Sequence, residues 1–281
     1  MQQTMHRVTS VRQTPAETGD GRATPDRTHA LRGDGSDGVS RFAAEVVARL
    51  VARDAADDLV PRETLVDKLM SAVALGDASA FEAMKPELKR ARVSAAMLAD
   101  VYIPEVARRL GEGWMTDCVT FAEVTMGTAR LQAILREIGA NWSADATGGA
   151  DGPMVLVVLP VGEQHTLGAM VLAGRLRRKG ISVSMRIAPH AAELAAFVGT
   201  RSFDAAFVSV AVQDRLETCG KLVRTLKEAT GGRLKVAVGG AVLEQGSLKA
   251  ATGADMISND IDAVLQAFGI LDQAAQFSET I

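Results

Sequence analysis

Apolar residues recur at helical spacing from about residue 41 to residue 139, and they form four amphipathic faces. The faces are Leu65, Leu69 and Val73; Phe81, Met84 and Leu88; Met97, Val101, Ile103, Val106 and Leu110; and Val124, Met126, Leu131, Leu135 and Ile138. Each face predicts a helix, and the short connections between them predict an up-and-down bundle. We expect the third helix to be interrupted at Pro104 and to end at Gly111 and Gly113.

The spacing of apolar residues changes after residues 143–152. These residues are small and polar, and we interpret them as a linker. Short apolar runs, typical of strands buried on both faces, then alternate with helical stretches. The predicted strands are Met154–Leu159, Ile181–Ile187, Ala205–Val210, Leu234–Val238 and Met256–Ile257. The predicted helices are Thr166–Lys179, Ala191–Val198, Asp214–Ala229, Val242–Ala251 and Ile261–Phe268. Five βα units predict an α/β fold: a Rossmann-like (flavodoxin-like), doubly wound, parallel five-stranded sheet preceded by a helical-bundle cap.

These patterns divide the chain into five parts. They are a disordered N-terminal tail (1–40), a helical cap (41–142), a linker (143–152), a Rossmann-like domain (153–273) and a C-terminal tail (274–281). The first part mixes Pro, Gly, Asp, Arg and Thr without any period, so it cannot bury enough apolar surface to offset the entropy lost on ordering.

Composition narrows the class of protein. The chain has 281 residues, of which 47% are hydrophobic, and this is enough for substantial cores. A formal net charge of -3 argues against nucleic acid as the main partner and against direct sequence-specific DNA binding. Without a secretory leader or an apolar run of about 18 residues, we expect a cytoplasmic protein with no membrane contact.

Ligands of doubly wound sheets bind at the carboxyl ends of the strands, so the candidate chemistry lies in those loops. The first loop carries Glu163, His165 and Gly168. A neutral imidazole is a good ligand for a transition metal, and a carboxylate bonded to its second nitrogen would fix the tautomer. Gly168 would permit a close approach at the start of the following helix, and Ala169, Ala173 and Gly174 continue a slim surface, as if something bulky lay beside it.

The later loops add smaller signals. The third strand ends near Ser209, a hydroxyl donor, and the fourth is followed by Gly239 and Gly240, where no side chain would block a ligand. Taken singly, a loop histidine is also typical of an ordinary surface residue, and a glycine pair after a strand is typical of a plain turn. Because these signals follow three strands of the same predicted sheet, together they are more specific for a ligand site than any one of them alone.

That combination resembles the cobalamin-binding domain family, whose signature is Asp/Glu-x-His-x-x-Gly, then Ser-x-Leu/Thr, then Gly-Gly. The resemblance implies that His165 binds cobalt as the lower axial ligand and that Glu163 orients it. It also implies that Ser209 bonds the buried nucleotide tail, while Gly168, Gly239 and Gly240 line the slot for that tail. The third position of the middle motif is Ala211, a mild departure from the family pattern.

The helical half resembles the cap of the same family around residues 65–88 and 103–114. Trp114 is compatible with a cover over the upper face of a corrin and also with a core tryptophan. In cobalamin photoreceptors with such caps, a tryptophan is followed by a Glu-His pair above the corrin, and the corresponding positions here are Val124 and Thr125. Neither can supply an imidazole, so we expect water or hydroxide on the upper face after illumination.

The domain pair, the polar N-terminal part and the altered upper-face pair resemble the AerR/PpaA-type antirepressors of photosynthesis genes. The resemblance implies a light-responsive antirepressor that holds adenosyl-, methyl- or hydroxo-cobalamin and binds a transcriptional repressor of CrtJ/PpsR type. Haem is an alternative cofactor, because relatives with a related domain are reported as haem sensors. No catalytic side-chain set accompanies the site, so we do not expect an enzyme. The alternative is a corrinoid carrier protein of a methyltransferase system.

Overall fold

The structure is a computed structural model that describes residues 60–75, 79–142, 152–241 and 252–270. Several predictions fall outside these ranges. They concern the N-terminal tail, the start of the cap to residue 59, nearly all of the linker, the helix at 242–251 and the C-terminal tail.

The first half of the described chain is helical. Its elements are α1 (Glu63–Ala74), α2 (Ala80–Arg90), α3 (Ala95–Met97), a π-helical turn (Leu98–Tyr102), α4 (Ile103–Met115) and α5 (Phe121–Ile138). The four amphipathic faces seen in the sequence are all helical, as predicted. Most of their apolar residues, including Leu69, Leu110 and Leu131, form one core with Tyr102, whereas Met126 of the fourth face is exposed. Burial of this shared core is what holds short helices of this kind in place.

The third predicted helix differs from expectation at Pro104, which does not interrupt it. A proline inside a helix removes a hydrogen bond and collides with the preceding turn. Here Pro104 lies in the first turn of α4, and the π-helical turn before it lets the Ile103 N–H bond the Leu98 carbonyl five residues back. The wider turn accommodates the ring, and the chain continues as a helix.

The same helix also passes the two glycines that were predicted to end it. Gly111 lies inside α4, which ends only at Met115. Gly113 has a packing role instead: a Cβ there would lie 2.5 Å from a methyl carbon of Val119. Its carbonyl accepts hydrogen bonds from the N–H groups of Cys118 (2.8 Å) and Val119 (3.0 Å), which closes the turn towards α5.

The second half is a parallel sheet with helices on both faces. Its strands are β1 (Met154–Leu159), β2 (Ser182–Ile187), β3 (Ala205–Ser209), β4 (Lys235–Gly239) and β5 (Met256–Ile257). Its described α-helices are α6 (Thr166–Arg178), α7 (Ala191–Gly199), α8 (Leu216–Ala229) and α9 (Ile261–Phe268). The strand order is β2-β1-β3-β4-β5 with every pair parallel, so the predicted doubly wound, flavodoxin-like fold is confirmed.

Alternate residues of β1 enter two different cores. Leu156 and Val158 face α7 and α8, while Val155, Val157 and Leu159 face α6 and α9. All five are buried, which explains why the strand reads as a continuous apolar run.

Helix α6 connects the sheet to the helical layer. Its Leu167 belongs to the core of the helical layer, while its Ala169 and Leu176 belong to the core against the sheet. At its other end the Arg178 guanidinium donates to both carboxylate oxygens of Asp100 at 2.6 Å. Within the described ranges, no helix has the length and apolar character needed to cross a membrane.

Candidate cofactor site

The loop after β1 is a tight turn that places Glu163 at the carboxyl edge of the sheet. The Glu163 N–H donates to the Pro160 carbonyl at 3.0 Å, and Gly162 has a positive φ of 83°. Glycine adopts this backbone conformation without strain. A Cβ at Gly162 would also lie 2.8 Å from the guanidinium of Arg215, so a side chain there would have to displace that arginine.

The Glu163 carboxylate is buried and accepts three hydrogen bonds. Oε1 accepts from the His165 N–H at 2.9 Å and lies 2.6 Å from the His165 Nδ1, while Oε2 accepts from the Ala211 N–H at 2.8 Å. Burial by itself raises the pKa of this carboxyl, but the bonds from Ala211 and His165 outweigh it and leave the pKa lowered. Glu163 is therefore ionised and ties the loop after β1 to the loop after β3.

This arrangement sets the orientation of His165. Because Glu163 is an ionised acceptor, it selects the tautomer of the neutral ring in which Nδ1 carries the proton and Nε2 carries the lone pair. The His165 side chain is 64% exposed, so Nε2 is available to a ligand from outside. The predicted hydrogen bond between the carboxylate and the ring is present, and the role of His165 as a metal ligand stays a prediction.

Gly168 lies in the first turn of α6, directly after the histidine. It is exposed, and a Cβ placed there would meet no atom of the described residues within 4 Å. The protein's own packing therefore does not require a glycine at this position. Open space beside an exposed imidazole is compatible with a bulky group lying against the start of α6.

Ser209 is the last residue of β3 and lies in register with Gly239 of β4. It is half-buried, and within the described part of the chain its hydroxyl makes no hydrogen bond. The structure thus places a hydroxyl without a partner at the carboxyl edge of the sheet, where the sequence predicted a donor to a nucleotide tail.

The glycine pair after β4 has a structural reason that the sequence did not reveal. Gly240 has a φ of 113°, and a Cβ there would lie 2.2 Å from the Val210 carbonyl oxygen. A Cβ at Gly239 would lie 3.0 Å from the Ser258 carbonyl oxygen. Gly240 is thus required by the close approach of the protein's own backbone, and Gly239 fits closely against it.

Asn259 fixes this corner further. Its Oδ1 accepts from the Gly240 N–H at 2.7 Å, and its Nδ2 donates to the Gly240 carbonyl at 3.2 Å. The contacts of Gly239, Gly240 and Asn259 hold the ends of β3, β4 and β5 together. The role that the sequence predicted for the two glycines, to line a ligand slot, stays a prediction.

Trp114 of the helical layer is a surface residue rather than a core tryptophan. It is 52% exposed, and its ring centroid lies 6.4 Å from that of Phe121, which is 71% exposed. Met115 and Met126 are also uncovered. Large apolar side chains that cluster at a surface are typical of a contact site for another molecule.

The two positions predicted to replace a Glu-His pair lie near the start of α5. The Thr125 hydroxyl donates to the Phe121 carbonyl at 2.8 Å, and Val124 is half-buried. Glu123 is engaged in a capping box, in which it accepts from the N–H and hydroxyl of Thr120 at 2.7 Å. These bonds stabilise the helix start, and the hydrogen bonds from Thr120 lower the pKa of the Glu123 carboxyl.

The helical layer reaches the loop that carries His165, here called the histidine loop, through Gln132. Its amide nitrogen donates to the Thr166 hydroxyl at 2.9 Å, one residue after His165. Thr125 lies two turns earlier on the same side of α5, about 10 Å away along the axis. Phe121, Thr125 and Gln132 therefore form a stripe along one side of α5, and the Gln132 end of this stripe lies at the histidine loop.

Sequence reasoning missed several members of this site. Ala211 takes part through its backbone, so its side chain, the mild departure from the family motif, does not disturb the bond to Glu163. Arg215 and Asn259 carry no motif that could have flagged them, and Gln132 belongs to an otherwise ordinary helix face. The described residues contain no group of three or more His, Cys, Asp or Glu that could hold a metal ion alone.

Comparison with known proteins places the chain in a family. An uncharacterized 20.5 kDa protein in the bchF-crtJ intergenic region of Rhodobacter capsulatus is 43% identical over 186 residues, covering 66% of this chain and 97% of that protein. The chain belongs to the same family. No protein-family model matches the chain.

One solved structure shares the fold of this chain. The monomethylamine corrinoid protein of Methanosarcina barkeri has a TM-score of 0.57 at 17% identity, over 75% of this chain and 100% of that one. A cobalamin-binding protein of Desulfitobacterium hafniense DCB-2 is more distant, with a TM-score of 0.37 at 17% identity over 72% of this chain and 98% of that one. The chain therefore has the fold of the Methanosarcina protein, a Rossmann-like sheet with a helical layer.

The buried carboxylate generates a first prediction. In Glu163→Gln, a side-chain NH2 replaces one acceptor and faces a donor, so we expect the free energy of unfolding to fall by about 2 kcal/mol at neutral pH. Because the folded state lowers the pKa below its ordinary value of 4.5, the ionised group stabilises the wild type above about pH 4.5. This contribution is lost as the pH falls through the lowered pKa.

Urea unfolding over a pH series measures both effects. The difference between wild type and Glu163→Gln should narrow below about pH 4.5. Glu193→Gln, which changes an exposed carboxylate of α7, is the matched control and should follow the wild type. A difference that stays constant across the series would contradict the assignment of an ionised, hydrogen-bonded carboxylate.

The close approach at Gly240 generates a second prediction. Gly240→Ala should lower the free energy of unfolding by about 3 kcal/mol or more, because the new Cβ meets a carbonyl oxygen in a strained backbone region. Gly180 is the control: its φ of 77° is also positive, but a Cβ there meets nothing within 4 Å. Gly180→Ala should cost about 1 kcal/mol. Equal losses in the two variants would mean that backbone strain alone, rather than the contact with Val210, fixes the glycine.

Proposed function

We propose that this protein binds a corrinoid of the cobalamin class, with the His165 Nε2 as the lower axial ligand of cobalt. One observation carries the proposal. On the fold of a corrinoid protein, Glu163 holds an exposed imidazole at the carboxyl end of β1 through its Nδ1, which leaves Nε2 as the nitrogen for a ligand. A carboxylate behind a ligating histidine is the usual way to fix its tautomer and raise its basicity.

The surrounding residues fit such a group. Gly168 leaves open space beside the imidazole, and the Ser209 hydroxyl is free to bond a nucleotide tail. Val161 and Val212, in the loops after β1 and β3, are 50% and 38% exposed and would be covered by the corrin. A large, partly apolar ligand would therefore bury surface that the protein alone leaves in water.

The helical layer would contribute the upper side of the site. Trp114 and Phe121 present aromatic surface, and the stripe of α5 that leads to them starts at the histidine loop. Neither Val124 nor Thr125 can donate a nitrogen ligand, so water or hydroxide would complete the coordination.

Removal of the imidazole tests the proposal. His165→Ala should shift the absorption spectrum of the protein loaded with hydroxocobalamin and weaken its affinity about tenfold or more, because the axial nitrogen is lost. His190→Ala removes the exposed histidine before α7 and should behave like the wild type. An unchanged spectrum and affinity in His165→Ala would refute the ligand assignment. A parallel titration with haem shows which cofactor the same imidazole prefers.

A second variant, measured in the same cobalamin titration, tests whether the open space beside Gly168 is occupied by the ligand. Gly168→Leu should leave thermal stability unchanged, because nothing lies within 4 Å of the new Cβ, yet it should weaken cobalamin binding by filling the space. Gly199→Leu is the matched control, since Gly199 is also helical, exposed and free of neighbours within 4 Å. Normal cobalamin binding by Gly168→Leu would exclude a corrinoid at the start of α6.

For the biological role, we propose a light-responsive antirepressor that binds a transcriptional repressor of CrtJ/PpsR type. The support comes from the family: the Rhodobacter capsulatus relative is encoded between bchF and crtJ. A bound alkylcobalamin would supply the response to light, because light cleaves its cobalt–carbon bond. The helical layer around Trp114 would then re-pack, and the two states would differ in their affinity for the repressor.

A corrinoid carrier in a methyltransferase system is the competing role. It is favoured by the likeness to the Methanosarcina barkeri corrinoid protein, which concerns the fold alone at 17% identity. Carrier and regulator need the same lower ligand, so the histidine experiment cannot separate them, and a partner experiment is required.

Partner binding separates the two roles. Protein loaded with adenosylcobalamin should bind the repressor with affinities that differ about tenfold between darkness and illumination, which corresponds to about 1.4 kcal/mol. His165→Ala should abolish the difference. Equal affinity in both states would contradict a light switch. Absence of binding, together with methyl transfer to a thiol acceptor, would establish the carrier.

A further inference from the structure

A cleft of about 600 Å³ lies at the outer edge of the sheet, away from the histidine loop. It is bordered by the first residues of β1 and β2, Met154 and Ser182, and by Phe203 just before β3. These residues mark the amino ends of the strands, whereas His165 follows the carboxyl end of β1. The cleft is therefore separate from the candidate cofactor site.

The cleft is strongly basic. Arg177, Arg186 and Arg201 line it, and none of the lining residues in the described ranges is acidic. Arg186 and Arg201 both lie on the ring of Phe197, at 3.9 and 4.3 Å from its centroid. Within the described ranges none of the three arginines has an ion-pair partner. Guanidinium groups clustered in this way repel one another, so an anionic ligand would be stabilised between them.

The strand along this cleft has an unpaired edge. Among the residues that the structure describes, β2 is the outermost strand of the sheet and pairs only with β1. The N–H groups of Ser182 and Ala188 donate to carbonyls on the β1 side, at 2.9 and 3.0 Å. Since hydrogen-bonding direction alternates along a strand, the backbone groups of Val183, Met185 and Ile187 point away from the sheet.

The arginines are distributed on both sides of that edge. Arg186 projects towards Phe197 of α7, whereas Arg177 belongs to α6 on the opposite face and donates to the Val183 carbonyl at 3.4 Å. Side chains of an added strand would alternate between the same two faces. An acidic residue of the added strand that points towards α7 would lie near Arg186, and one that points towards α6 would lie near Arg177.

We propose that the β2 edge binds an acidic, extended peptide segment of a partner protein, which adds as a sixth strand. The outward backbone groups of Met185 and Ile187 and the N–H of Val183 would supply main-chain hydrogen bonds, and the three arginines would supply the preference for Glu and Asp. The Val183 carbonyl already accepts from Arg177, so an added strand would compete with that bond. A second copy of this chain is a poor occupant, because pairing two β2 edges about a twofold axis would bring Arg186 and Arg201 of both copies together.

The test uses the full chain and a fluorescent peptide of about eight residues, with two Glu on each alternating face and Val or Thr elsewhere. We expect saturable binding by fluorescence anisotropy, and none by the same peptide with Lys in place of Glu. The double variant Arg186→Glu with Arg201→Glu should weaken binding about tenfold or more. Arg224→Glu, on an exposed position of α8, is the matched control and should stay within about twofold of the wild type.

Backbone methylation distinguishes strand addition from simple charge attraction. Two versions of the peptide carry N-methyl groups on odd or on even residues, so only one version blocks the edge that faces β2. One version should lose binding while the other keeps it. Equal binding by both versions would overturn the proposal in favour of a surface for compact anions, which inorganic triphosphate would then occupy. Absence of binding by the unmodified acidic peptide, or equal binding by the charge-reversed variant, would also overturn it.

Discussion

The three hydrogen bonds accepted by Glu163 are the constraint on which the candidate site depends. They join the loop after β1, the loop after β3 and the start of α6 at one buried carboxylate. A buried charge is tolerated only when its acceptor capacity is used, and here two backbone N–H groups and one imidazole satisfy it. The same bonds decide which nitrogen of His165 faces outwards, so the stability of the loops and the chemistry of the imidazole have one physical origin.

Helix α6 transmits that constraint to the rest of the molecule, because it packs on both sides. Its small residues were interpreted from the sequence as a surface left slim for a bulky neighbour. Ala169 and Ala173 are fully buried, and a Cβ at Gly174 would lie 3.1 Å from the ring of Trp142. At Gly174 the bulky neighbour is therefore a side chain of the protein, Trp142. Arg178 lies over the same ring, 4.1 Å from its centroid, so the end of α6 is fixed as firmly as its start.

The fold followed from the sequence because its signals are local. Period-3.6 faces predicted the cap helices, and buried runs with helices between them predicted the parallel sheet. The Glu163–His165 bond was equally predictable, since it joins residues two apart. What escaped prediction depends on distant neighbours: the π-helical turn that carries the chain past Pro104, the backbone of Ala211, and the approach of Val210 that requires Gly240. No single-sequence pattern encodes such contacts, because each is created only when separate elements meet.

The position of α6 also bears on how a signal could leave the cofactor site. The helix has 13 residues, or about 20 Å, and runs from the residue after His165 to Arg177 and Arg178. A rigid helix moves as one body, so a displacement of the imidazole at its first turn would be felt at the Asp100 ion pair and at the arginine beside β2. The two ends are coupled only if the cofactor at His165 and the peptide at the β2 edge favour the same position of α6. A preference of about 1.4 kcal/mol for that position changes the affinity of the other ligand tenfold. The bidentate bond between Arg178 and Asp100 is one contact that such a movement would have to stretch or re-form, which makes the junction of α6 with the helical layer the natural place for a two-state element.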